Sequence, residues 1–133
     1  MQLYLVRHAE AASGEPDELR PLTREGREAA RELGRRLAAE GVRPDAILTS
    51  PLLRARETAA ELARPAGLQP EPDERLAPGA SAEGVRAAAG ERGGRTVVVV
   101  GHQPDCGRIA AALTGGAEPA FPPAGMLAID LAE

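Results

Sequence analysis

The run TVVVV at residues 96–100 restricts the architecture of this chain more than any other segment. An unbroken β-branched stretch, set between Gly-Gly-Arg and Gly-His, suits a strand covered on both faces. A strand with one wet face would alternate apolar and polar residues instead. Such a strand belongs near the middle of a sheet with helices on either side. Shorter apolar runs at 2–6, 45–49 and 126–131 read as further strands, and 69–76 leaves room for a weak edge strand. Between them the apolar spacing changes to that of helices. Thr23 stands as an N-cap before a helix with apolar positions at Ala29, Ala30, Leu33, Leu37 and Ala38, ending near Gly41. Ser50-Pro51 pairs an N-cap residue with proline at a first helical position, so a second helix is expected over 51–63. Further helices fit 81–91 and 105–113, the latter ended by Gly115-Gly116. Strands alternating with helices predict an α/β fold, a three-layer sandwich with a central, largely parallel sheet flanked by helices.

A length of 133 residues matches one domain, expected over 1–133, with no internal repeat or linker. Hydrophobic residues make up 43% and aromatics only 2%, so the core must be built from Leu, Val, Ile and Ala. All 16 basic residues are Arg, and with 20 acids the formal net charge is -4. That balance supplies no global field for nucleic acid or for an anionic membrane, yet it permits a local anion site. The single cysteine excludes an internal disulfide framework and a Cys-ligand set for structural zinc. Residues 1–6 lack the features of an export signal, and no apolar run approaches the roughly 20 residues of a membrane span. A cytoplasmic protein, without membrane or nucleic-acid partners, is expected.

Only two histidines occur, His8 and His102, and each directly follows a strand candidate. In open parallel α/β sheets the ligand crevice lies beyond the carboxyl ends of the strands, so both belong on the functional edge. They face one another if the first and fourth strands are neighbours. The 45–49 strand ends on the same edge, and the helix after it carries Arg54 in its first turn. Two imidazoles and the guanidinium groups of Arg7 and Arg54 make a cationic pocket whose forked donors match phosphate oxygens. The N-termini of the helices after Ser50 and near Asp105 offer backbone N–H groups to the same anion. A cation near a helix N-terminus is itself disfavoured unless an anion compensates, and bound phosphate would supply one for Arg54. Residues 9–21, rich in Ser, Gly, Pro and acids, read as a loop over the site.

LVRHAE at 5–10, SPLLRARET at 50–58 and VVGHQP at 99–104, with RPLTREG at 20–26 between the first two, resemble the motifs of the histidine phosphatase superfamily. The resemblance runs through most of the chain in the family's order, and its short length and RHA form are most similar to the SixA-type phosphohistidine phosphatases. It implies a phosphoglycerate mutase-like fold. It implies further that His8 is the phosphorylated nucleophile, that Arg7, Arg54 and His102 bind and polarise the phosphate, and that neither cofactor nor metal takes part. The implied substrate is a phosphorylated protein, such as a histidine-containing phosphotransfer domain, or a small phosphorylated metabolite.

Competing readings attach to several residues. Larger relatives add a carboxylic acid that protonates the leaving oxygen, and Glu74 either fills that role or is a solvated surface acid. Phosphohistidine needs such an acid less, because its leaving imidazole can already carry a proton. Thr58, one turn beyond Arg54, is expected to pack or back-bond within its helix. A cysteine-based phosphatase would need Arg six residues beyond Cys106, where Ala112 stands, and a Walker-type site needs a lysine the chain lacks. Two other functions remain as alternatives: a phosphatase of small phosphomonoesters such as a sugar phosphate, and a phosphate-binding module without turnover.

Overall fold

The computed structural model describes residues 1–132. One sheet contains β1 Gln2–Arg7, β2 Ala46–Thr49, β3 Glu71–Pro72, β4 Thr96–Gly101 and β5 Met126–Asp130. Their order is β3-β2-β4-β1-β5, which puts the valine-rich strand at the centre. β4 pairs in parallel with β1 on one side and β2 on the other, Val100 lying opposite both Val6 and Thr49. β3 extends the parallel set, and β5 closes the far edge antiparallel to β1. β3 is shorter than the run of 69–76 expected of it, because Pro70 and Pro72 remove alternate N–H donors and confine pairing to an edge.

The period of two along β1 and β4 divides the core. Leu3, Leu5, Val97 and Val99 face one way, onto α3 Ala82–Glu91 and α4 Asp105–Thr114. Tyr4, Val6, Val98 and Val100 face the other way, onto α1 Arg24–Ala39 and α2 Leu53–Ala66. Val97 to Val100 are each at most 1% exposed, and burial of such a side chain contributes about 1.5–3 kcal/mol. Small residues bring α1 close to α2. A Cβ on Gly34 would stand 2.9 Å from the Glu61 carbonyl and 3.5 Å from the Pro65 ring.

α1 and α3 start on side-chain caps, whereas α2 and α4 start without one. Thr23 Oγ1 accepts from Gly26 N at 2.9 Å, and Ser81 Oγ accepts from Gly84 N at 3.0 Å. α2 departs from expectation at both ends. It begins at Leu53 rather than Pro51, because Ser50 Oγ accepts from Leu52 N in a turn instead of capping the helix. It also runs through Pro65 to Ala66 before Gly67, in the left-handed region at φ 68, stops it. Pro65 in the last turn lacks only a donor to the Glu61 carbonyl, the group that packs against Gly34. Among the described residues no helix is long and apolar enough to cross a membrane.

Candidate active site

The parallel register builds the site. Arg7 is paired with Gly101, so the next residues, His8 and His102, leave adjacent strand ends side by side. Their ring centroids are 5.2 Å apart with planes tilted by 59°. β2 ends one residue before Ser50, and α2 brings Arg54 back to the same edge. All four residues named from the sequence, Arg7, His8, Arg54 and His102, therefore line one open cleft of about 380 Å³, together with Glu10, Arg20 and Gln103.

Both imidazoles are held by a hydrogen bond. His8 Nδ1 lies 2.7 Å from the Ala9 carbonyl. A carbonyl can only accept, so Nδ1 carries the proton and the lone pair sits on Nε2. Burial, then the charges of Arg54, Arg7 and Arg20, lower the His8 pKa below 6.5 against the opposing pull of the Ala9 bond. At neutral pH the ring is uncharged. His102 is 4% exposed, with Nε2 2.7 Å from Ser50 Oγ. Burial first, then His8 and Arg54, push its pKa down to about 4. A bound anion would raise both values, since it favours the charged ring.

The two guanidinium groups share a pattern. Arg7 Nη1 donates to the Phe121 carbonyl at 2.9 Å. Arg54 Nη1 donates to the Asp17 carbonyl at 2.9 Å, and its Nη2 to Asp17 Oδ2 at 3.3 Å. Each is thus anchored through terminal nitrogens, while both Nε–H groups are buried and have no partner among the described residues. A buried N–H left unpaired costs about 1–3 kcal/mol. The free edge of each group, Nε–H beside the outer Nη2–H, is a side-on fork of the shape that takes two oxygens of a phosphate.

Several expectations are refined. Asp17 already provides part of the negative charge that Arg54 needs near its helix start. The α4 N-terminus has little to offer an anion, because Cys106 N, Gly107 N and Arg108 N donate to His102 O, Gln103 Oε1 and Pro104 O. Thr58 back-bonds as expected, Oγ1 donating to the Arg54 carbonyl at 2.8 Å, and it also accepts from Ala9 N at 3.0 Å. That second bond fixes the residue following His8 to α2. Glu74 is exposed and does not line the cleft; it borders an adjoining depression with Ala77 to Gly79, of which Pro78 also lines the cleft. Arg75 is engaged with Asp73 and Glu91. Cys106 is buried with its thiol pushed up to about 12, chiefly by burial, so it is no nucleophile.

Asp17, Arg20, Ser50 and the Phe121 carbonyl do not emerge from sequence reasoning as site components. Asp17 and Arg20 lie in a loop without periodicity, and Ser50 reads as a helix cap. The one available signal for Arg20 is its place at the head of RPLTREG, where Thr23 N donates to the Glu10 carbonyl at 3.0 Å. Gly26 packs so tightly on that carbonyl that a Cβ there would overlap it. Among the described residues no three His, Cys, Asp or Glu side chains group as metal ligands.

Residues 3–78 match the family model of the histidine phosphatase superfamily (branch 1), and the chain belongs to that superfamily. It is 42% identical over 125 residues to an uncharacterized protein of Picosynechococcus sp. strain PCC 7002, covering 87% of this chain and 74% of that one. It is 32% identical over 127 residues to phosphohistidine phosphatase SixA of Escherichia coli K12, covering 90% and 78% respectively. The solved structure of the protein histidine phosphatase SixA complexed with tungstate superposes with a TM-score of 0.89 at 30% identity, over 98% of this chain and 88% of that one. The fold is phosphoglycerate mutase-like, and the activity is that of a phosphatase.

Proposed function

We propose that this phosphatase, working as one domain over 1–133, hydrolyses phosphohistidine on a partner protein through a phosphorylated His8 and without a metal. The observation that carries the reading is the pair of unpartnered buried Nε–H groups of Arg7 and Arg54 beside an uncharged His8. Phosphate completes both forks, and the cations then stabilise charge on its equatorial oxygens. The similarity to SixA, and the tungstate in that protein's structure, support a tetrahedral oxyanion as the guest.

In the first step the His8 Nε2 lone pair attacks phosphorus while the bond from phosphorus to the substrate imidazole breaks. The departing nitrogen keeps the electron pair, and the ring's other nitrogen already holds a proton. In the second step water attacks phosphorus, the bond to His8 Nε2 breaks, and the water proton passes to the phosphate or to solvent. His102, with its ring against His8 and its Nε2 at Ser50, polarises a phosphate oxygen. An alkoxide leaving group would require an acid; Glu74 lies outside the cleft, and the Glu10 carboxylate that lines it accepts from Thr23 Oγ1 at 2.8 Å. The site therefore favours phosphohistidine over a phosphomonoester. An open cleft also suits a residue carried on another protein, a histidine-containing phosphotransfer domain being one such partner.

A substrate panel tests this proposal. A histidine-phosphorylated protein and phosphoramidate should turn over well and sugar phosphates poorly, with Glu74→Gln unchanged on all. Rapid hydrolysis of one ester with none of phosphohistidine would reject the substrate, and phosphate binding without any turnover would reject the enzyme.

A further inference from the structure

The loop at 9–21 carries a feature that the four central residues do not explain. The Asp17 carboxylate joins two guanidinium groups that both line the cleft: Oδ1 accepts from Arg20 Nε at 2.9 Å, and Oδ2 from Arg54 Nη2 at 3.3 Å. The Asp17 carbonyl also accepts from Arg54 Nη1 at 2.9 Å and from Arg20 N at 3.2 Å. Asp17 thereby takes the end of the Arg54 fork and leaves its side, the buried Nε–H and the outer Nη2–H, without a protein partner among the described residues.

Arg20 is anchored at a different edge. Its Nε is held by Asp17 and its Nη1 donates to the Ala12 carbonyl at 3.2 Å, while Nη2 has no partner among the described residues. The loop that holds these anchors is itself tied down, Ala12 N donating to Pro21 O at 2.8 Å and Ala11 bridging to Leu22. Arg20 is close enough for its charge to act on the His8 ring. Hydrogen bonding to Arg20, with Arg54 adding to it, holds the Asp17 carboxyl below its ordinary range, so it stays ionised at neutral pH.

We infer that Arg20 is a third phosphate-binding guanidinium, reaching the phosphate through Nη2, and that Asp17 is a positioning residue that sets Arg20 and Arg54 at the correct edges of the cleft. The inference rests on the proposed reading of the cleft as a phosphate site. Arg7 and Arg54 meet the phosphate from within the fold, whereas Arg20 reaches it from the solvent side, over the oxygen or leaving group that faces the partner.

Affinity for inorganic phosphate by calorimetric titration, together with kcat and KM for phosphoramidate, tests this on wild type, Arg20→Ala, Arg20→Lys, Asp17→Ala and Asp17→Asn. Arg20→Ala should weaken phosphate binding and raise KM about tenfold, the scale of one charge-assisted hydrogen bond, with kcat within about threefold. Arg20→Lys, a point charge without the fork, should recover only part of the loss. Asp17→Ala should weaken phosphate comparably, Asp17→Asn should recover part of that loss, and the Asp17/Arg20 double alanine variant should lose less than the sum. Melting temperatures identify any variant that fails to fold, for which Arg20→Gln is the substitute. Unchanged phosphate affinity in Arg20→Ala, or tighter binding in Asp17→Ala, would overturn the inference. Failure of the wild type to hydrolyse phosphoramidate and phosphohistidine would instead overturn the proposed function.

Discussion

Helix α2 buries two charges about two turns apart and treats them in opposite ways. Glu61 has a side chain 2% exposed and lies within 3.8 Å of Arg27 and 3.4 Å of both Arg31 and Arg64. Its charge is met by groups of which two, Arg27 and Arg31, also tie α1 to α2. Arg54 has a side chain 7% exposed, yet it meets only the largely exposed Asp17, and its Nε–H is left alone. The first arrangement is closed and serves the fold. The second leaves a buried donor unmatched beside the cleft, and an incomplete buried charge of that kind carries a stability cost that only a ligand removes.

Substitution should separate the two. Arg54→Ala is expected to lower kcat/KM by at least about a hundredfold, the scale of one lost oxyanion contact, while the melting temperature holds or rises. A large fall in stability with activity retained would erase the distinction. Gly26→Ala should strike both regions, since its Cβ would press on the Glu10 carbonyl two residues beyond His8. About 1–3 kcal/mol of stability should be lost to overpacking, with a drop in kcat that an equally destabilising core variant does not show. Glu61→Ala should cost only about 1–2 kcal/mol by denaturant unfolding, because its three arginines are themselves substantially exposed and rehydrate when the acid is gone. Its kcat/KM should stay within about threefold of wild type, and a hundredfold loss would mean that the ion cluster belongs to the site.

Proton linkage offers a finer comparison. The His102 pKa falls from 6.5 to about 4 on folding, so between those values the unfolded chain binds more protons than the folded one. Stability should therefore fall as pH drops from about 6.5 and level off near 4, by an amount of order 1 kcal/mol after screening in an open cleft. Saturating phosphate should shrink or reverse that slope, because a bound anion favours the charged imidazole. The same titration in His102→Asn should lack this component, and an unaltered slope would contradict the assignment.

The central strand and the placing of Arg7, His8, Arg54 and His102 on one sheet edge were legible because each follows from a local pattern placed at a strand end, whereas the pairing of β1 with β4 entered only as a condition. Parallel pairing then does the rest, since Arg7 opposite Gly101 leaves the two histidines no other arrangement. The start of α2 was misread because Ser50-Pro51 has the composition of a cap, whereas its hydroxyl is turned to His102, 52 positions away. Asp17 and Arg20 were illegible for a similar reason. Their roles arise from a loop folded back onto Arg54 across 37 positions, and no periodicity records such a contact. Core positions announce themselves through spacing, while the residues that hold a site in place do so through long-range bonds.

The central claim is that the cleft completes itself with a phosphoryl group carried on His8. Rapid mixing of the protein with a radiolabelled histidine-phosphorylated partner, followed by an alkaline denaturing quench, tests it most directly. Label should appear transiently on wild-type protein, map to His8, and be absent from His8→Ala. Phosphate released with no label on the wild type, or label retained by His8→Ala, would contradict the account.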